Sequence, residues 1–278
     1  MRRVDPRVYT KKYYLTDCTG YNEYKKTFGK KLEPRLNRII KDIPLKKNQK
    51  ILDIGCGRGE LSFWAAKQGC QVIGIDYSIN AIKLAQLAQT KQSSAIKTRT
   101  KFKLMDAKDL KFPPHSFDAV FLVEVLEHIY PEEQDQVFRQ INKVLKPDGF
   151  VFIHTAPSRW FNDFTYKYWC YPISSLLVFI WKLITGRSYP NLAPPKQIRI
   201  ASHLIMHINE PDYFSLKKLF NRHKFYGQIR STNITIRKPH ITWKDKLFNF
   251  LAYLYPLSNY FPLNIFWGND FLAVLRHK

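Results

Sequence analysis

The stretch ILDIGCGRGE, Ile51 to Glu60, sets an apolar run before three glycines at alternate positions, Gly55, Gly57 and Gly59, with Asp53 ahead of them and Glu60 behind. A strand that runs into a glycine-rich turn and then a helix brings backbone close to a ligand. Glycine reaches φ > 0 and has no Cβ to clash, while a helix starting near Glu60 contributes free N–H groups. A nucleotide cofactor suits such a turn. The dinucleotide pattern G-x-G-x-x-G needs its third glycine at position 60, where Glu60 stands, and that reading is weakened.

Working outward, short apolar runs rich in branched residues recur at 50–54 (KILDI), 71–75 (QVIGI), 102–105, 119–123 and 150–154. Each reads as a buried strand. Helical periodicity lies between them at 61–68, 80–90 and 131–145, the last opening on Pro-Glu-Glu and stopping before Lys146-Pro147-Asp148-Gly149. A further helix at 211–223 and strands at 225–230 and 270–276 complete the series. The expected fold is α/β: a doubly wound, mainly parallel, seven-stranded Rossmann-like sheet, whose ligand sits beyond the carboxyl ends of the strands. After Thr155 the alternation stops, and an aromatic segment, 156–206, reads as a cap inserted after the fifth strand. Residues 1–45 form an N-terminal segment before the domain at 46–278.

The 278 residues are enough for one substantial core. The basic start lacks an apolar stretch of signal-peptide length, so a cytoplasmic location is expected. Cys18, Cys56, Cys70 and Cys170 are far apart, with no zinc-type spacing, so reduced thiols and no metal are expected. A formal net charge of +23 favours polyanions, whether nucleic acid, an anionic membrane face or a phosphorylated compound.

The order D-x-G-x-G-x-G at Asp53, Gly55, Gly57 and Gly59 resembles the first motif of the class I S-adenosylmethionine-dependent methyltransferases. The likeness continues through VIGIDYS, KLMDAKDL, SFDAVFLVEVLEHI and LKPDGFVFIHT, and is nearest to the small-molecule, type 11 or ubiquinone-biosynthesis-like branch. It implies S-adenosyl-L-methionine as cofactor. The turn Gly55-Cys56-Gly57 to Gly59 would pass beneath its methionine part, with Asp53 and Glu60 facing the ammonium. Asp76 and Tyr77 would hold the ribose, Asp106 and Ala107 the adenine, and Glu124 with Val125 the remaining wall. A lone Asp at a strand end is usually a turn former or cap, but three after successive strands favour a ligand. Cys56 reads as a small turn residue, Glu127 as structural, and Arg58 receives no role.

In-line methyl transfer needs chiefly alignment, with a base only when the acceptor must lose a proton. Candidate proton-transfer residues are His128 after the fourth strand, His154 at the end of the fifth, and His207 beyond the cap, near Glu210; each can equally be a structural histidine. Trp160, Phe161, Phe164, Tyr166, Tyr168, Trp169, Tyr171, Phe179 and Trp181 would roof an acceptor pocket, and the Tyr-rich stretch from Val8 to Tyr21 would close the cofactor site. A small-molecule acceptor is expected, with lipid-linked or glycan compounds as refinements. The apolar tracts at 168–181 and 247–269 read as too short or too interrupted by proline to span a bilayer, yet they fit a body lying on an anionic membrane face. RNA methylation is the alternative enzyme reading, against which the basic residues are dispersed and no RNA-binding signature is present. A non-catalytic cofactor-binding module is a third reading.

Overall fold

The structure is a computed structural model describing residues 4–41, 43–199, 206–233 and 242–277; parts of the N-terminal segment (1–3 and 42) and of the cap (200–205) lie outside the described residues. Among the described residues eight strands form one sheet: β1 (Lys50–Ile54), β2 (Gln71–Asp76), β3 (Thr100–Leu104), β4 (Phe117–Val123), β5 (Leu145–Thr155), β6 (Phe225–Tyr226), β7 (Ile229–Thr232) and β8 (Asp270–His277). Their order is β3-β2-β1-β4-β5-β8-β6, with β7 also on β8. Strands β1 to β5 are parallel, and β8 returns antiparallel to β5.

Seven positions were expected where eight strands are found. The strand at 225–230 is split in two, both halves pairing with β8. Gly227 lies at the break, where a Cβ would stand 2.2 Å from the Val274 carbonyl oxygen, so the chain approaches β8 there more closely than any larger residue allows.

Alternation along β1 divides its side chains between two layers. Leu52 and Ile54 join a core with Val120, Leu122 and helix Pro131–Val144, while Ile51 faces a second core with Phe121, Phe152, Ile39, Leu61 and Ala65. Burial on both sides is what a central parallel strand demands, and it explains the near-continuous apolar runs. Strand order reverses between β1 and β4, which opens a crevice beside the carboxyl end of β1.

Three short helices, α1 (Lys11–Thr16), α2 (Tyr21–Thr27) and α3 (Pro34–Ile40), precede β1. Around the sheet follow α4 (Glu60–Lys67), α5 (Ile79–Thr90), α6 (Ser94–Arg99) and α7 (Pro131–Val144). The first part of the cap is helical: π-type turns over Phe161–Cys170 lead into α8 (Tyr171–Thr185) without interruption. Pro172 stands in the first turn of α8, the position in a helix where proline is best tolerated. The resulting 25-residue helix is long and apolar enough to cross a bilayer by length and composition, which corrects the expectation of a tract too short to do so. Helix Trp243–Tyr253 packs beside it.

Candidate cofactor and acceptor site

A cavity of about 820 Å³ lies at the carboxyl ends of β1 to β5, lined there by Ile54, Asp76, Met105, Val123 and Ala156. The turn after β1 forms its floor. Gly55 has φ +69° and a Cβ on it would come within 2.6 Å of Val125, so only glycine lets the turn pass the end of β4. Gly57, at φ +53°, has space where a Cβ would stand, its nearest neighbour being Tyr14 at 4.0 Å; the bare backbone faces the cavity. Gly59 begins α4 as its cap, and Cys56 sits buried between them, its thiol pushed well above the ordinary range by burial and unsuited to nucleophilic work.

Asp53 is almost wholly buried and accepts a 2.6 Å hydrogen bond from Ser62 Oγ. Burial pushes its carboxyl up to about 7. Asp76 accepts from the N–H groups of Ser78 (2.8 Å) and Gly57 (3.1 Å), which ties the second strand to the glycine turn, and burial raises it to about 6. Both carboxylates line the cavity and, among the described residues, no basic side chain is bonded to them, so an ionised pair there is favoured by a cationic or multiply hydroxylated guest. Asp106, Ala107 and Tyr77 line the adjoining wall, with Lys108 bonded to both Asp106 and Glu133. All of the expected cofactor residues except Gly59 line this cavity.

Arg58, given no role from sequence, is a key residue of the site. Its guanidinium donates at 2.6 Å to the carbonyls of Tyr14 and Thr19, bonds Glu60 and stacks over the Tyr24 ring at 5.1 Å. One buried cation therefore clamps the N-terminal helices over the glycine turn. The Tyr9 carbonyl accepts from Ser78 Oγ and Asn80 Nδ2 at 3.1 Å each, fixing the same segment to the start of α5. Tyr9, Tyr13 and Tyr14 line the cavity from above. Only the sequence density of tyrosines pointed to this; the Arg58 signal is invisible because its partners are backbone oxygens some forty residues away.

Of the three candidate histidines, His128 and His207 meet, with ring centroids 4.8 Å apart and both on the cavity wall. His128 Nδ1 lies 3.0 Å from both the Met206 carbonyl oxygen and the Tyr9 hydroxyl. A carbonyl only accepts, so Nδ1 carries the hydrogen and the basic lone pair falls on Nε2.

His154 does not join them, which corrects its assignment to proton transfer. It is fully buried outside the cavity lining, with Nδ1 2.5 Å from Glu124 and Nε2 3.1 Å from Asp270. Those two carboxylates outweigh burial and raise it to about 9, so it is a fixed imidazolium at neutral pH. Arg35 completes the cluster through Glu124 (3.0 Å) and Asp270 (3.4 Å). The two cations hold the Glu124 carboxyl far below its usual range and support its left-handed backbone, φ +59°. Glu210 pairs with Arg199 and bonds Asn162 instead of lining the cavity. Glu127 is wholly buried and accepts from Thr155 Oγ1 at 2.8 Å.

The aromatic roof is also smaller than expected. Phe161 and Tyr166 line the cavity, joined by Tyr253 from the helix beside α8. Phe164, Tyr168 and Phe179 are more than half exposed, because a helix turns only one face inward. Trp160 packs away from the cavity on Phe266 and Phe214.

The paired buried acids, the bare backbone at Gly57 and the enclosing tyrosines fit an adenosyl sulfonium carrying an amino-acid tail. Comparison with known proteins agrees. The family described as a methyltransferase domain, Methyltransf_11, matches residues 52–153. Phosphoethanolamine N-methyltransferase 1 of Zea mays is 33% identical over 142 residues, 49% of this chain and 27% of that protein. Ubiquinone biosynthesis O-methyltransferase of Leptothrix cholodnii is 33% identical over 122 residues, 44% of this chain and 50% of its own length. The chain thus spans half or less of these curated relatives. Among solved structures, phosphoethanolamine N-methyltransferase 2 of Haemonchus contortus in complex with S-adenosyl-L-methionine superimposes with a TM-score of 0.54, at 21% identity, over 98% of this chain and 57% of that one, which is a likeness of fold. Residues 52–153, which carry the glycine turn and the acids Asp53, Asp76 and Asp106, are thus similar to the methyltransferase domain of the Methyltransf_11 family.

Proposed function

We propose that this chain transfers a methyl group from S-adenosylmethionine to a small-molecule acceptor bound beneath Tyr9, His128 and His207. The observation that carries the reading is one cavity with two kinds of wall: buried carboxylates and bare glycine backbone at the strand ends, and a histidine pair with a tyrosine hydroxyl opposite. The relatives named for phosphoethanolamine and for ubiquinone biosynthesis support a small acceptor over a polymer.

When bound, S-adenosylmethionine supplies a methyl group already activated on a positive sulfur. The chain's own residues do the rest. Asp53 would balance the ammonium and Asp76 would accept from the ribose hydroxyls, a bidentate task for an ionised carboxylate. Asp106 and Ala107 would take the adenine edge. Tyr9, Tyr13 and Tyr14, clamped by Arg58, shut water out and hold the acceptor in line. His128 Nε2 is the group placed to accept a proton from an acceptor hydroxyl or ammonium. Phe161, Tyr166, Ile198 and Tyr253 give the acceptor side an apolar wall, which favours a lipid-linked compound over a bare sugar.

Incubating the purified protein with methyl-labelled S-adenosylmethionine and fractionated small-molecule and lipid extracts tests this. Label should move to an extractable compound, and His128→Ala should slow the transfer by roughly 10²–10⁴ while retaining the cofactor. If equilibrium dialysis shows neither S-adenosylmethionine nor S-adenosylhomocysteine bound, the reading falls.

A further inference from the structure

We infer that α8 and the helix Trp243–Tyr253 form a docking surface for an anionic lipid bilayer, lying in the plane of the headgroups. Their packing is inside out. In α8, YPISSLLVFIWKLIT, the single fully buried side chain is Ser174, bonded to Asn191 Oδ1 at 2.6 Å, whereas Leu176, Phe179, Ile180, Leu183 and Ile184 are turned to solvent. With Phe164 and Tyr168 ahead of them, these positions follow helical spacing as one stripe, and Ile184 is 77% exposed. Trp243, Leu247 and Phe250 make a second stripe on the neighbouring helix. Apolar surface this continuous on a folded protein marks an interaction site.

Charge selects the partner. Residues 160–199 and 242–268 hold seven Lys and Arg against two Asp. Both acids are engaged, Asp163 by Arg199 at 2.8 Å and Asp245 by Thr242 and by the Tyr189 hydroxyl. The cations stand beside aromatic rings: Lys167 is 4.8 Å from the Tyr168 centroid and Lys244 is 4.4 Å from that of Trp181. Apolar residues flanked by Trp, Tyr and Lys match the acyl boundary and the anionic headgroups of a membrane face.

A transmembrane crossing is excluded by the neighbouring backbone. The non-helical chain after Gly186 runs back along the helix, where Asn191 meets Ser174 and the Ala193 carbonyl accepts from the Tyr166 hydroxyl. Irregular backbone beside a lipid-exposed helix would leave N–H and C=O groups unsatisfied in hydrocarbon. Lying flat, the same elements face lipid with one side and the cavity with Phe161, Tyr166 and Tyr253 on the other. If the proposed methyl transfer holds, on which this last step rests, an amphiphilic acceptor reaches the cavity without leaving the membrane.

The test is co-sedimentation of the full chain with vesicles of phosphatidylcholine mixed with phosphatidylglycerol, against phosphatidylcholine alone, with cofactor affinity measured on the same samples. Binding to the anionic vesicles is expected, reduced about tenfold or more by Phe179→Ser with Leu183→Ser and also by Lys182→Glu with Lys244→Glu. All four positions are at the surface, and unchanged S-adenosylmethionine affinity will show that the variants fold. No anionic preference, or vesicle binding indifferent to both variants, overturns the proposal. So does sedimentation equilibrium showing instead a dimer that the apolar double variant dissociates. Absent vesicle binding with intact cofactor binding removes the docking surface and leaves the methyl-transfer reading standing; the converse result removes only the latter.

Discussion

The Tyr9 hydroxyl lies 3.0 Å from Nδ1 of His128, across 119 residues of sequence, so the segment closing the cavity and the histidine proposed to accept a proton are one hydrogen-bonded unit. Burial holds the Tyr9 phenol far above its ordinary titration range, and it stays a neutral hydroxyl throughout the working pH range. His128→Ala is expected to lower kcat by roughly 10²–10⁴, the usual worth of a positioned base, with cofactor affinity nearly unchanged. Tyr9→Phe keeps the ring and removes the hydroxyl; its loss in kcat should be about tenfold, the scale of one neutral hydrogen bond. Steady-state kinetics beside calorimetric affinities separate the two effects, and a cofactor affinity that collapses in either variant would place these side chains on the wrong wall.

Cofactor binding should weaken in acid. The Asp53 carboxyl, pushed up to about 7 by burial, takes a proton as pH falls through that value, and Asp76 follows at about 6. A guest with a fixed cation prefers the ionised acids, so affinity falls by up to about tenfold per pH unit below 7 for one linked proton. Calorimetry across this range, with Asp53→Asn showing a flatter profile and weaker binding near neutrality, provides the check.

Asp76→Ala is expected to weaken S-adenosylmethionine by about 1–3 kcal/mol, the scale of lost hydrogen bonds to a charged group. Part of this comes from the glycine turn itself, since Gly57 N–H loses its carboxylate acceptor. An unchanged dissociation constant would remove the ribose assignment.

His154 should act on stability, not on chemistry. Its folded value near 9 exceeds the ordinary 6.5, so its contribution is complete below about 6.5 and is lost as pH rises through 9. Replacing it with Gln leaves Glu124 and Asp270 with Arg35 alone and should cost about 3–5 kcal/mol near pH 6. Urea denaturation from pH 6 to above about 9 should show the wild type converging on the variant. A constant difference would mean that the imidazole is neutral in the fold.

Arg58→Ala should loosen the N-terminal segment. With the carbonyls of Tyr14 and Thr19 no longer held, limited proteolysis should cut near residues 9–28 faster, and bound cofactor should slow that cleavage less than in the wild type. Equal cleavage rates would show that the Tyr9 bonds to Ser78 and Asn80 suffice.

The amino-acid sequence alone determined the sheet. Two-sided burial writes itself as unbroken apolar runs, and alternate glycines before α4 admit few backbone paths, so β1 to β5, the turn at Gly55 and the acids at 53, 76 and 106 were all readable from local pattern. Tertiary structure decided whatever depends on partners distant in the chain. Whether a histidine is a base or a fixed cation depends on what surrounds it: His128 faces the cavity while His154, equally at a strand end, is locked between Glu124 and Asp270. Arg58 has no local signature because its acceptors are main-chain oxygens. The direction of the cap's aromatics was hidden too, since composition counts rings without saying which face of the helix is covered. Phe161 and Phe164 differ by three positions, yet one lines the cavity and the other meets solvent, because packing against Ala252 and Tyr253 of the neighbouring helix fixes the rotation of this one.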